Sequence, residues 1–336
     1  MRSWISLLAG ASLGVMGLVG VAQAADKLLV YISPDPIGVN AFLKLGQIGT
    51  EEAAKKIGAE MKTYESANVA ARQDNVQAAI NEGASIIIVA GFEFNDIITQ
   101  LAPTAPDTQF LIVDQCIANP PPNVSCATFR EYEATYLIGI AAGMASQGNQ
   151  IGVVSAVDIP FLHRYTVSYA EGAKSVKPDM KVDVRWVGGD NPFSDPVRAK
   201  EQALALKAAG SDIIFTATSG GDYGVFEASK QNDFKVFAVD VNHCPDDPGR
   251  VISGTLKRVD NAIVAAVDAI ETTHKQTLMT LGLKEGGMSI VGLTDDGLAD
   301  SQCLIAKMPD VLAKVREVAG HIEDGSLKLE DPMFAK

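Results

Sequence analysis

Histidine is scarce in this chain: His163, His243, His274 and His321 are the only four in 336 residues. With no GxSxG and no HExxH beside them, neither a nucleophile triad nor a zinc hydrolase can be assembled from motif. Basic charge is also in deficit. The net charge is -13, no basic block interrupts the chain, and nothing in that balance implies a nucleic-acid surface. Low-complexity segments are absent. Cysteine is limited to Cys116, Cys126, Cys244 and Cys303, whose successive separations of 10, 118 and 59 residues fit no zinc pattern. No metal and no cofactor is expected.

Long hydrophobic runs are missing too, with one exception at the start. MRSWISLLAGASLGVMGLVGVAQA carries Arg2, then an apolar stretch interrupted by four glycines, then Ala22-Gln23-Ala24. That composition predicts a secretory signal peptide over 1–24, cut after Ala24, rather than a membrane helix. No cysteine lies near the cut to carry a lipid. A periplasmic protein of about 310 residues is expected, with a net charge near -14 once Arg2 is removed. In an oxidising compartment the cysteines pair by default, and four allow three connectivities. The prolines between Cys116 and Cys126 favour folding that segment back on itself, which leaves Cys244 for Cys303.

What the mature chain does have is a repeated rhythm. LLVYIS, MKTYES, SIIIVAG and FLIVD are short apolar or β-branched runs, separated by IGTEEAAKKIG and DNVQAAINEGA at helical spacing. After the interruption IANPPPNVSC the rhythm resumes, with QIGVVSAV, VDVRWVGG, DIIFTATSG and KVFAVDV as strands. HRYTVSYAEGAKSV, DPVRAKEQALALKAAG and GVFEASKQ lie between or after them as helices. Two such sets predict an α/β protein with two doubly wound parallel sheets. One lobe is expected at 26–130 plus about 246–284, the other at 131–245 plus about 285–310, with a helix and tail over 311–336. Three crossings between lobes make a hinge.

Ligands of open α/β sheets bind beyond the carboxyl ends of the strands. The loops there hold Phe42, Phe92, Phe94, Phe161, Trp186 and Phe193, either as aromatic walls for a flat ligand or as packing beneath their own loops. Asp35, Asp114 and Asp240 follow strand ends, where a ligand's polar groups are met. Asp195 precedes Pro196 and a helical run, so its expected role is an N-cap. TSGGDYG (218–224) lets backbone amides approach a ligand or simply makes a tight turn. It matches no nucleotide fingerprint. SPDPIGVNAF (33–42) carries two prolines and a glycine that pre-shape a turn, with Asn40 or Asp35 as polar readers and Phe42 as a wall.

Five segments in order, PNVSCATFREYEATYLIGIAAGMAS, IGVVSAVDIPFLHRYTVSYAEGAKSVKPD, FSDPVRAKEQALALKAAGSDIIFTATSGGDYGVFEAS, VFAVDVNHC and SGTLKRVDNAI, resemble the basic membrane protein family of solute-binding proteins. Its characterised members bind purine nucleosides for ABC importers. The resemblance runs from about Leu28 to Ile270 and implies the type I periplasmic-binding-protein fold. It further implies that Phe42 and Phe193 sandwich a base, that Asp114 hydrogen-bonds the base, and that Gly220, Asp240 and Lys257 hold the ribose. The chain departs from the family pattern where Leu43 replaces an asparagine after Phe42, and where Asn242-His243 stands in place of Asp-Gln.

These readings converge on a non-enzymatic, monomeric receptor that captures a nucleoside-like solute between two lobes and delivers it to ABC permease subunits. The expected contacts are Asp35, Asn40, Phe42, Phe92, Asp114, Phe193, Gly220, Asp240 and Lys257. Rivals are the same receptor with a sugar, flavin or other heterocycle, a sensor presenting its ligand to a signalling receptor, and a secreted nucleoside-acting enzyme. The enzyme would need an ordered water or a metal near Asp35, Asp114 and Asp240.

Overall fold

A computed structural model describes residues 27–334. The signal-peptide expectation over 1–24 lies outside the described residues. The chain opens with β1 (Leu28–Ser33), α1 (Ala41–Ile57), β2 (Glu60–Glu65), α2 (Val69–Asn81), β3 (Ile86–Ala90), α3 (Asn95–Leu101), β4 (Gln109–Val113) and β5 (Val124–Phe129). It continues with α4 (Glu131–Ala145), β6 (Gln150–Ser155), α5 (Pro160–Val176), β7 (Lys181–Trp186), α6 (Pro196–Ala208), β8 (Ile213–Ala217), α7 (Asp222–Asn232), β9 (Lys235–Ala238) and β10 (Val251–Lys257). Last come α8 (Val259–Thr273), β11 (Leu278–Leu281), β12 (Met288–Ile290) and α9 (Pro309–Glu323).

Two six-stranded sheets result, in the orders β2-β1-β3-β4-β5-β11 and β7-β6-β8-β9-β10-β12. The central strands β1, β3 and β8 are buried along their whole length, as their unbroken apolar runs require when helices cover both faces. The edge strands β2 and β7 are only partly buried and carry charged residues. Every pairing is parallel except β10 with β12. The chain crosses between sheets after β5, after β10 and between β11 and β12.

One part of the sequence reading is corrected by these pairings. Residues 246–257 were expected with the first sheet, but β10 runs parallel to β9 and belongs to the second. Only α8 and β11 return to the first, where β11 extends the sheet beside β5. Helix α9 packs on α4, so the C-terminal helix sits with the second sheet.

Local chemistry explains the junctions. Asn40 caps α1 by accepting from the Leu43 amide at 3.1 Å, worth about 1 kcal/mol. Asp195 caps α6 through the Arg198 amide at 2.9 Å, as its place before Pro196 implied. Helices α4 and α5 approach so closely that a Cβ on Gly172 would lie 2.1 Å from the Tyr136 carbonyl oxygen. Disulfides join Cys116 to Cys126 and Cys244 to Cys303. The first ties the loop after β4 back onto β5, and the second ties the segment after β12 to the loop after β9.

Candidate ligand cleft

The carboxyl ends of β1, β3 and β4 in the first sheet face those of β8 and β9 in the second. Between them lies a cleft with about 610 Å³ of space free of protein atoms, part of it open to solvent. The first sheet's loops contribute Asp35, Asn40, Phe42, Phe92, Glu93 and Asp114; the second contributes Phe161, Tyr165, Phe193, Ser219 and Asp240. Lys257, the last residue of β10, enters from the hinge.

Lys257 is the electrostatic centre of this arrangement. It is 2% exposed, forms an ion pair with Asp114, and lies 2.9 Å from Glu131 Oε1 and 3.2 Å from the Tyr165 hydroxyl. Its ammonium also stands 5.0 Å from the centroid of Phe129, 5.4 Å from Phe42 and 5.5 Å from Phe161, within cation–π range. Burial alone pushes the Lys257 ammonium down, but Asp114 and Glu131 hold it well above the usual lysine range. Glu131, wholly buried at the start of α4, accepts from Arg164 Nη1 at 3.0 Å as well. Burial pushes its carboxyl up to about 7 against the pull of Lys257.

The other carboxylates are held in different ways. Asp35 pairs with Arg72 at 3.3 Å, and Arg72 also donates to the Pro34 carbonyl at 2.9 Å, which fixes the proline-rich turn to α2. Asp240 accepts from Ser219 Oγ at 3.3 Å, and burial raises its carboxyl despite the attraction of Lys257. Asp114 and Asp240 both adopt left-handed backbone, with φ of 79° and 70°. Non-glycine residues rarely do so, and such strain concentrates where function fixes the backbone.

Eight of the nine residues expected at the site line the cleft: Asp35, Asn40, Phe42, Phe92, Asp114, Phe193, Asp240 and Lys257. Gly220 does not. It is buried under the loop that carries Phe193, where an added Cβ would lie 3.2 Å from the Phe193 carbonyl oxygen, and its neighbour Ser219 faces the cleft instead. The turn is anchored from below by Asp222, whose Oδ1 accepts from Thr216 Oγ1, Thr218 Oγ1 and the Thr218 amide. Asn40 Oδ1 is committed to the helix cap, so its Nδ2 is the group it can offer a ligand. Phe94 is fully buried in the core below the cleft, and Trp186 and His163 lie outside the lining. Glu93, Tyr165 and Ser219 line the cleft without having been singled out from the sequence, although Glu93 and Ser219 lie in loops whose position after a strand marked them for inspection.

The fold agrees with what comparison finds. A family model described as ABC transporter substrate-binding protein PnrA-like matches residues 27–316. The chain belongs to this Bmp family. Among its relatives, the ABC transporter nucleoside-binding protein BmpA of Lactococcus lactis is 29% identical over 311 residues, covering 85% of this chain and 87% of that protein. The CD4+ T-cell-stimulating antigen of Listeria innocua is 30% identical over 286 residues, covering 80% and 76%. A crystal structure of an ABC transporter solute-binding protein from Aeropyrum pernix superposes with a TM-score of 0.78 at 22% identity, covering 91% of this chain and 94% of that one. As a Bmp-family member the protein is the substrate-binding component of an ABC transporter, built on the periplasmic-binding-protein fold.

Proposed function

We propose that the protein captures a purine nucleoside, or a closely similar solute, between its two lobes outside the cytoplasm and delivers it to ABC permease subunits without transforming it. The observation that carries this reading is the composition of the cleft: aromatic rings from both lobes surround hydrogen-bonding carboxylates and one buried lysine. A flat base stacks between Phe42 of the first lobe and Phe193 of the second, with Asp114 against the base and Asp240 and Lys257 at the ribose hydroxyls. In support, the Phe193 ring lies 6.2 Å from that of Phe92 on the opposite lobe, so the loop that carries it reaches across to the first lobe. The lactococcal relative, named as nucleoside-binding, supports the same ligand class. Rotation about the three crossings closes the lobes, and the permease receives the closed form.

Leu43 favours a second reading. It lines the cleft with an apolar side chain where the family resemblance leads one to expect an asparagine; a purine edge loses a polar partner there, and the second reading is the same receptor with a different solute, a sugar or another heterocycle. A thermal-shift screen against nucleosides, free bases, pentoses, hexoses and flavins separates the two. A ligand at 100 times its Kd stabilises the native state by about 2.7 kcal/mol. The expected result is a shift with a purine nucleoside and none with ribose, diminished in both Phe42→Ala and Phe193→Ala. A shift with a sugar and silence from every purine refutes the nucleoside assignment.

A further inference from the structure

Glu93 has no role in the reading above. It is the middle residue of a one-turn 3-10 helix, Phe92–Phe94, that follows β3. Its neighbours point in different directions: Phe94 fills the core, and Phe92 faces Phe193 across the cleft. Glu93 lines the cleft itself, with its carboxyl folded back over Gly91, where a Cβ would lie 2.3 Å from Glu93 Oε2. Gly91 has a φ of 96° and no side chain, so it leaves the carboxyl that space.

The other three cleft carboxylates have side-chain partners in the protein: Arg72 for Asp35, Lys257 for Asp114, Ser219 for Asp240. Among the described residues Glu93 has no ion pair and no hydrogen bond from another residue. Glu93 is half-buried, so its carboxylate keeps water until a solute covers it, and a solute that fills this side of the cleft must replace that water with donors of its own. The surrounding charge narrows that use. Four carboxylates and one lysine line the cleft, which disfavours a phosphorylated or otherwise anionic solute and favours a neutral or cationic one that brings donors.

We propose that Glu93 is a specificity-determining residue that takes an edge of the solute carrying two adjacent N–H donors, the pattern a guanine base presents at N1 and N2. A carboxylate accepts two parallel N–H bonds, and bonds to a charged acceptor are about twice as strong as neutral ones. The proposal rests on the nucleoside reading and adds to it which base is preferred. Burial pushes the Glu93 carboxyl up to about 7, with Arg72 opposing and Asp35 and Asp114 reinforcing; Asp240 and Lys257 face the same space from the other side. Two adjacent N–H groups require the ionised form.

The test is calorimetric titration of the wild-type protein and Glu93→Gln with guanosine, inosine and adenosine at pH 8, repeated with guanosine at pH 6. Inosine lacks the 2-amino group and keeps N1–H. The wild type is expected to prefer guanosine over inosine by about tenfold, and Glu93→Gln to reduce that ratio to near one. Guanosine affinity of the wild type falls from pH 8 to pH 6 as Glu93 is protonated; in the variant this change is much smaller. A wild type indifferent to the 2-amino group, or a variant that keeps the preference, overturns the role of Glu93 and leaves the nucleoside reading intact. A wild type that binds none of the three nucleosides overturns both.

Discussion

Replacing Lys257 with methionine tests whether the cleft is organised around a buried cation. Methionine keeps the length and most of the apolar contact with Phe129 and Phe161, so the change removes charge more than volume. Two carboxylates lose their partner: Asp114, ion-paired with Lys257, and Glu131, 2.9 Å away and wholly buried. Arg164 still reaches Glu131, but its Nη2 and Nε are bound to Asp331, so it cannot replace the lysine at both oxygens. Removing one partner of a buried ion pair costs about 3–5 kcal/mol.

The loss has a pH dependence whose sign follows from Glu131. Its folded value is already raised to about 7, and its unfolded value is near 4.3. A carboxyl whose folded pKa is raised withdraws stability as pH climbs from the unfolded value to the folded one. Without Lys257 the folded value rises further, so additional stability is lost above about pH 7, where the wild-type carboxylate is ionised and paired. Each further pKa unit is worth about 1.4 kcal/mol. Thermal denaturation of wild type and Lys257→Met at pH 6 and pH 8 is therefore expected to show a gap of at least about 5 °C at pH 8 and a smaller one at pH 6. A variant within about 2 °C of wild type at both values, or a gap that widens toward pH 6, refutes the buried-cation argument.

Two further perturbations probe the frame that holds the cleft. In a chain-entropy account, removing the Cys244–Cys303 bridge, which spans 59 residues, costs about 4 kcal/mol, and removing Cys116–Cys126, which spans 10, costs about 3; paired Cys→Ser variants in urea denaturation should rank in that order, and the reverse ranking rejects it. Gly172→Ala sets a helix-propensity gain of about 1 kcal/mol against a Cβ placed 2.1 Å from the Tyr136 carbonyl oxygen. That backbone contact cannot move without separating α4 from α5, so a net loss of about 1–3 kcal/mol is expected; a stabilised variant would mean the helices do not pack this closely.

Much of this fold is visible in the sequence because its central strands are covered on both faces. Unbroken runs such as IIIVA in β3 and IIFTA in β8 need no tertiary information to be recognised. The same logic located the cleft, since in a parallel sheet every carboxyl end points the same way, and Asp114 and Asp240 were found by their place after a strand. The assignment of β10 failed for the opposite reason. VISGTLK is an apolar strand by any local measure, but which sheet receives it is decided by its pairing with β9, and no periodicity encodes a partner.

The site residues that were missed divide along the same line. Glu131 is 126 positions from Lys257, and in the sequence it is one of two glutamates in FREYE at a helix start, where acidic residues are ordinarily explained by the helix dipole. Its use as a buried counter-charge arises only because β5 and β10 both end at the hinge, bringing two of the three crossings into contact. Glu93 is harder still. Between two phenylalanines it looks like the solvated member of an apolar turn, and only the divergence of those rings, one into the core and one across the cleft, turns the carboxyl inward. Position after a strand therefore identifies which loops line the cleft, whereas charge balance inside it depends on how the lobes and hinge come together. The residues most informative about ligand chemistry are those whose charge the surrounding protein leaves uncompensated.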